Sequence, residues 1–92
     1  METYFIAYDI RDHGRLAKVT KAMTEYGARR QYSVFECRLS EMSLLKLRTR
    51  LEKIIDPEDD QVLIVKLCPK CLAGIQALGL PRIKESDAFK II

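Results

Sequence analysis

The sequence contains no tryptophan, and its only histidine is His13. An acid/base ribonuclease built on two histidines therefore cannot be assembled within one chain, and neither can a histidine-rich zinc site. Cysteine is scarce and odd in number, three in all, so a disulfide framework is not expected. No apolar run approaches the roughly 18 residues needed to span a membrane. The opening Met1-Glu2-Thr3-Tyr4 has no basic stretch leading into an apolar one, so a secretory leader is not expected and the cytoplasm is the expected location. With four glycines and three prolines, the chain is neither collagen-like nor a disordered linker.

What is present is the composition of a small globular domain: 92 residues, 48% hydrophobic and 32% charged. The net charge of +3 conceals its distribution. Residues 11–30 hold six basic side chains (Arg11, Arg15, Lys18, Lys21, Arg29, Arg30) against Asp12 and Glu25. Residues 54–60 hold Asp56, Glu58, Asp59 and Asp60 with no base. Such segregation leaves either a basic face suited to a polyanion or two solvated surfaces of opposite sign.

The apolar patterning predicts the elements in order. Thr3–Ile10 (TYFIAYDI) is apolar on both parities and reads as a strand covered on both faces, interrupted at its end by Asp9. Asp12 is placed to cap a helix over about His13–Tyr26, where Leu16, Val19, Met23 and Tyr26 share one face and Gly27 sits as a C′ glycine. Ala28–Arg38 reads as a hairpin with strands near Ala28–Arg30 and Ser33–Arg38 and a turn at Gln31 and Tyr32. Ser40 caps a second helix over about Glu41–Ile55, with Leu44, Leu47, Leu51 and Ile54 inward and Pro57 beyond its end. Gln61–Leu67 (QVLIVKL) is a further strand, again apolar on both parities.

This βαββαβ order predicts an α+β fold, the ferredoxin-like sandwich with both helices on one face of an antiparallel sheet. One domain spans residues 1–92, with its core in 3–67 and an extension in 68–92. Two helices leave the other sheet face uncovered, and a second copy packed sheet to sheet as a two-fold homodimer is the simplest cover. The terminal Phe89-Lys90-Ile91-Ile92 is strand-like and suited to a sheet edge, its own or a partner's.

Asp9 is the leading chemical candidate, because a carboxylate at the rim of an apolar strand suits a hard cation such as Mg²⁺. One carboxylate holds such an ion poorly, whereas two copies near a two-fold axis would share it. The alternative is a strand-end aspartate that caps the following turn. His13, four residues on, is either a general base or the exposed first residue of a helix. Arg15, Arg29, Arg30 and Lys46 are candidate phosphate contacts, or solvated surface charges. Cys68-Pro69-Lys70-Cys71 supplies two thiols, and with Cys37 three, whereas structural zinc wants four ligands. The pair reads as a local disulfide or packed thiols rather than as a catalytic dithiol.

Several blocks together resemble the small CRISPR-associated protein two (Cas-two) family. They are Tyr8-Asp9-Ile10, Arg15, Tyr26-Gly27, the run Gln31-Tyr32-Ser33-Val34-Phe35-Glu36-Cys37, Asp59-Asp60 and Leu67-Cys68. The resemblance covers about residues 3–72 in unbroken order and implies a ferredoxin-like homodimer with one Mg²⁺ or Mn²⁺ site at Asp9 of each protomer. It further implies a metal-dependent endoribonuclease on single-stranded RNA, in some members a nuclease on duplex DNA, and a place beside the Cas-one integrase in spacer acquisition. By position it makes Asp9 the metal ligand and catalytic residue and Arg15 and Arg30 phosphate contacts. Ser33 and Phe35 are then placed near the dimer axis. It assigns no role to His13 or the cysteine pair.

Overall fold

Each helix begins where a short polar side chain can accept from a backbone N–H that has no helical partner. Asp12 accepts from the N–H of Arg15 and Ser40 from that of Ser43. The computed structural model describes residues 1–79. Its elements are β1 (Glu2–Asp9), α1 (His13–Tyr26), β2 (Ala28–Gln31), β3 (Val34–Leu39), α2 (Glu41–Ile54), β4 (Gln61–Leu67) and α3 (Pro69–Ala73). The sheet order is β2-β3-β1-β4, antiparallel at every pairing. This is the ferredoxin-like arrangement that the sequence predicts. The strand expected at Phe89–Ile92 lies outside the described residues. Among those described, no helix is long and apolar enough to cross a membrane.

The core forms where the helical and strand periodicities meet. From α1 come Val19, Ala22 and Met23, and from α2 Leu47 and Leu51. The sheet contributes Tyr4, Ile6 and Tyr8 of β1 and Phe35, Cys37 and Leu39 of β3. Fully burying side chains such as Ile6 or Leu47 stabilises the fold by roughly 1.5–3 kcal/mol each. The Tyr8 hydroxyl would be costly in this layer without a partner, and it shares a 3.1 Å hydrogen bond with Thr20 Oγ1.

The opposite sheet face is different. Paired residues of an antiparallel sheet point to the same side, so Phe5 lies beside Val65 and Ala7 beside Leu63. Leu63 and Val65 are each 52% exposed. Among the described residues β1 and β4 are therefore covered on the helix side only, and the expectation of strands covered on both faces is not met by residues 1–79 of one protomer.

Three local expectations are corrected. The hairpin turns at Tyr32 and Ser33, not at Gln31 and Tyr32, because a bulge between Arg29 and Gln31 lengthens β2 and shifts the pairing. α2 ends at Ile54, and the Ile55 N–H closes its last turn on Leu51. Gly27 is extended (φ −163°, ψ −171°), not left-handed, so backbone conformation is not what requires glycine there. Close approach is: a Cβ on Gly27 would fall on Cys37 Sγ and on the Glu36 carbonyl of β3. Gly27→Ala is accordingly expected to destabilise the fold by about 1–3 kcal/mol, read as a lower denaturation midpoint at unchanged slope.

Candidate nucleic-acid and metal site

Strand alternation places Asp9 on the open face, two residues beyond Ala7 and opposite Gln61 at the end of β1. Its carboxylate is 70% exposed and lies 3.6 Å from the Arg11 guanidinium. Oxygen chemistry and access both suit a hard cation, but one monodentate carboxylate is too small a donor set. Among the described residues no three His, Cys, Asp or Glu side chains converge as a metal-binding group. The described residues of one chain therefore supply one ligand at this rim, not a site.

Next to Gln61, the β4 residue opposite Asp9, is a residue whose role the sequence did not reveal. Asp60, at the entrance to β4, has a fully buried side chain. Its carboxylate accepts from the Arg11 N–H (2.9 Å), Arg15 Nε (2.7 Å), Arg15 Nη2 (3.2 Å) and the Asp56 N–H (2.9 Å). The Arg15 fork, with the two backbone donors, holds this acid well below the usual carboxylate range against the opposing effect of burial. Arg15 is thereby committed to an internal bidentate pair, which orients the start of α1 and neutralises much of its charge. The acidic turn and the basic segment are not two separate surfaces, because they meet here. The only sequence signal was the Asp59-Asp60 block, and its partner lies 45 positions away in the chain.

The remaining arginines separate by face. Arg30 lies on the open side, where its Nε donates to Glu36 Oε1 at 2.8 Å. Arg29 lies on the helix side, with its guanidinium 5.7 Å from the Tyr32 ring centroid and 5.3 Å from that of Phe35. Its Nε is buried without a hydrogen-bond partner. Arg29 and Tyr32 line an open groove of about 470 Å³ together with His13, Leu16, Ala17, Thr20 and Lys21. Tyr32 is 68% exposed at the hairpin turn and offers an aromatic face beside three basic groups. His13 is the exposed first residue of α1. Neither His13, Lys21 nor Tyr32 was singled out as a contact by sequence, because a helix and a hairpin turn bring them together.

Lys46 is not brought to this region. It is exposed in the first half of α2, which starts at the end of the sheet opposite Asp9 and the hairpin turn. Ser33 lies in that turn, where its carbonyl accepts from the Tyr8 N–H at 3.1 Å. Phe35 is fully buried on the helix side and stacks on Tyr8 at a centroid distance of 6.2 Å. On β3 the side chains that reach the open face are Val34 and Glu36, since Phe35 has the opposite parity and belongs to the core. Cys37 also points into the core, where burial, and secondarily Glu36, pushes its thiol up to about 12. It is therefore no companion to Cys68 and Cys71, which are exposed.

Because Asp60 ionises more readily folded than unfolded, its contribution to stability is complete above the unfolded carboxylate value of about 3.9. That contribution declines as pH falls from there toward the depressed folded value. Asp60→Asn should lower the melting temperature clearly at pH 7, and the difference from the wild type should narrow steadily between pH 4 and pH 2, measured by thermal melts across that range.

The family profile described as CRISPR associated protein Cas2 matches residues 1–75. The chain is 37% identical to a CRISPR-associated endoribonuclease Cas2 of Synechocystis, over 92 residues that cover 100% of both chains. Among solved structures, a hypothetical protein from Thermus thermophilus superposes with a TM-score of 0.80 at 34% identity, covering 89% of this chain and 95% of that one. Cas2 of Streptococcus pyogenes superposes with a TM-score of 0.77 at 29% identity, covering 84% and 99%. The fold and the family profile agree, and the chain belongs to the CRISPR associated protein Cas2 family.

Proposed function

We propose that this chain acts as a two-fold homodimer in CRISPR spacer acquisition alongside the Cas-one integrase, and that the dimer hydrolyses phosphodiester bonds in single-stranded RNA with metal assistance. One observation carries the reading: Asp9 occupies the same sheet face as the half-exposed Leu63 and Val65. A second copy packed over that apolar patch would cover it and supply the second Asp9 in the same step. The endoribonuclease name of the Synechocystis relative supports the hydrolytic class.

The two Asp9 carboxylates would hold the divalent cation, Mg²⁺ or Mn²⁺, with water completing its coordination. An ion bound there offsets phosphodiester charge and lowers the pKa of a water. The chain's own residues do the rest. Asp60 fixes the loop that follows Asp9 and carries Arg11, through the Arg11 N–H and the Arg15 fork. Lys21 and Arg29 offer positive charge along the groove, His13 offers ring nitrogens for hydrogen bonding, and the exposed Tyr32 ring offers a stacking surface for an unpaired base. That combination favours single-stranded substrate. The other reading, a non-catalytic scaffold that holds duplex DNA for the integrase, draws on the single carboxylate per chain. Cleavage of duplex DNA is a third outcome of the same experiment.

Wild type and Asp9→Ala should be compared on single-stranded RNA and on duplex DNA, each with and without Mg²⁺. The expected result is loss of Mg²⁺-dependent RNA cleavage by at least about a hundredfold in the variant, at unchanged dimer mass by light scattering. Cleavage at the wild-type rate removes Asp9 from the mechanism. No cleavage by either protein, with spacer insertion retained in Asp9→Ala, selects the scaffold.

Binding of single-stranded RNA should weaken linearly on a log–log plot as salt rises, since each cation that meets a phosphate releases a counterion. Lys21→Ala should reduce the slope by about 0.7, the value for one phosphate contact on a single strand, in fluorescence titrations at four salt concentrations. A salt-independent affinity would contradict the basic groove.

A further inference from the structure

The Cys68-Pro69-Lys70-Cys71 segment does more than follow the last core strand: it opens a helix. Cys68 is the N-cap of α3, and Pro69 occupies the first turn, where its missing N–H leaves no gap in the helical bonding. Residues three apart at a helix start face one another, and the Cys68 and Cys71 sulfurs lie 3.2 Å apart. The Cys71 N–H points at Cys68 Sγ at 3.4 Å. Both thiols are exposed, whereas Cys37 is buried in the core. Among the described residues, no further ligands gather around the pair to make a metal site.

We propose that Cys68 and Cys71 form a thiol–disulfide exchange site whose co-substrate is a low-molecular-weight disulfide. The roles of the two sulfurs are unequal. Cys68 Sγ receives the Cys71 backbone N–H, which favours its thiolate and lowers its pKa, and this makes it the attacking sulfur. The Cys68 thiolate attacks one sulfur of the disulfide RSSR. A Cys68–SR bond forms, the RS–SR bond breaks, and RS⁻ departs. Cys71, on losing its proton to solvent, attacks the Cys68 sulfur. The Cys68–Cys71 bond forms and a second RS⁻ leaves. Overall the two protein thiols are oxidised by two electrons and RSSR is reduced to two RSH. Closure needs the sulfurs to move from 3.2 Å to the bonded distance of about 2.05 Å. Two excess thiols run the steps backwards. The site stands between β4 and the final segment of the chain, so closure would staple the first turn of α3 at that junction. It is independent of the Asp9 chemistry, and its test does not depend on cleavage.

The test uses the full-length reduced protein with oxidised glutathione as the probe, quenched in acid, alkylated and read by mass spectrometry. In wild type the expected product is an internal Cys68–Cys71 disulfide that excess reduced glutathione reopens, with Cys37 alkylated only after unfolding. Cys71→Ser should trap one glutathione on Cys68, and Cys68→Ser should react roughly tenfold more slowly. Circular dichroism of both variants checks that the fold is intact. Closely similar rates for the two variants would overturn the unequal roles. A wild-type product carrying glutathione without ring closure, a disulfide linking two chains, or tight stoichiometric zinc on the reduced pair would overturn the exchange site itself.

Discussion

A buried carboxylate is tolerable only when its lone pairs are filled, and Asp60 fills them with four donors drawn from three parts of the chain. One donor belongs to the loop after β1, two to the first turn of α1, and one to the exit of α2. The acid itself stands at the mouth of β4. Removing it would leave Arg15 without its partner and two backbone N–H groups unsatisfied, all at the rim that carries Asp9. The backbone of Asp9 is held by its pairing with Gln61 in the ladder, and the Asp60 cluster fixes the loop that leaves it. The Asp9 carboxylate itself is only loosely held, since its contact with Arg11 is long and exposed.

The same pairing changes what the charge count means. Of the six basic residues in 11–30, Arg15 is paired with Asp60 and Arg30 with Glu36, both acids nearly free of solvent contact. Charge neutralised in this way stabilises structure and contributes little to a polyanion's attraction. The cations left exposed lie mainly along α1, where Lys18 and Lys21 face solvent. A basic surface therefore exists, but it is displaced from the arginines that a linear reading selects and moves toward the groove between α1 and the hairpin. Arg29 bridges the two descriptions, because it is stacked on aromatic rings yet has a buried Nε without a hydrogen-bond partner.

The helices were legible because their apolar spacing and caps are local: Asp12 and Ser40 bond three residues ahead, within the reach of sequence inspection. The strands were legible as apolar runs. What failed needed distant neighbours. The turn shifted because a bulge, not a turn residue, sets the register of β2 against β3. Gly27 was recognised as special for the wrong reason, since the steric demand comes from β3 rather than from its own backbone angles. Which face Phe35 takes was not legible either, because one residue of register decides the sheet face of a side chain. Asp60 was seen as one of four acids, and only folding distinguishes the one that is buried.

The uncovered sheet and the isolated carboxylate are linked shortages. Covering Phe5, Leu63 and Val65 with a second copy stabilises the pair through apolar burial, and the two-fold symmetry that makes the patch self-complementary must also duplicate Asp9. Two carboxylates drawn together at the rim would repel, so close approach would favour a proton, a cation or rearranged arginines. Arg11 already stands 3.6 Å from Asp9 and can screen the approach, but a guanidinium at the rim leaves the carboxylates without a Lewis acid. On the proposed reading a divalent ion would answer both needs, since it would relieve the repulsion and supply the polarising charge. Cation and dimer would then be coupled: each should strengthen the other, and a pair held apart at the rim would lose the ion while keeping its apolar contact.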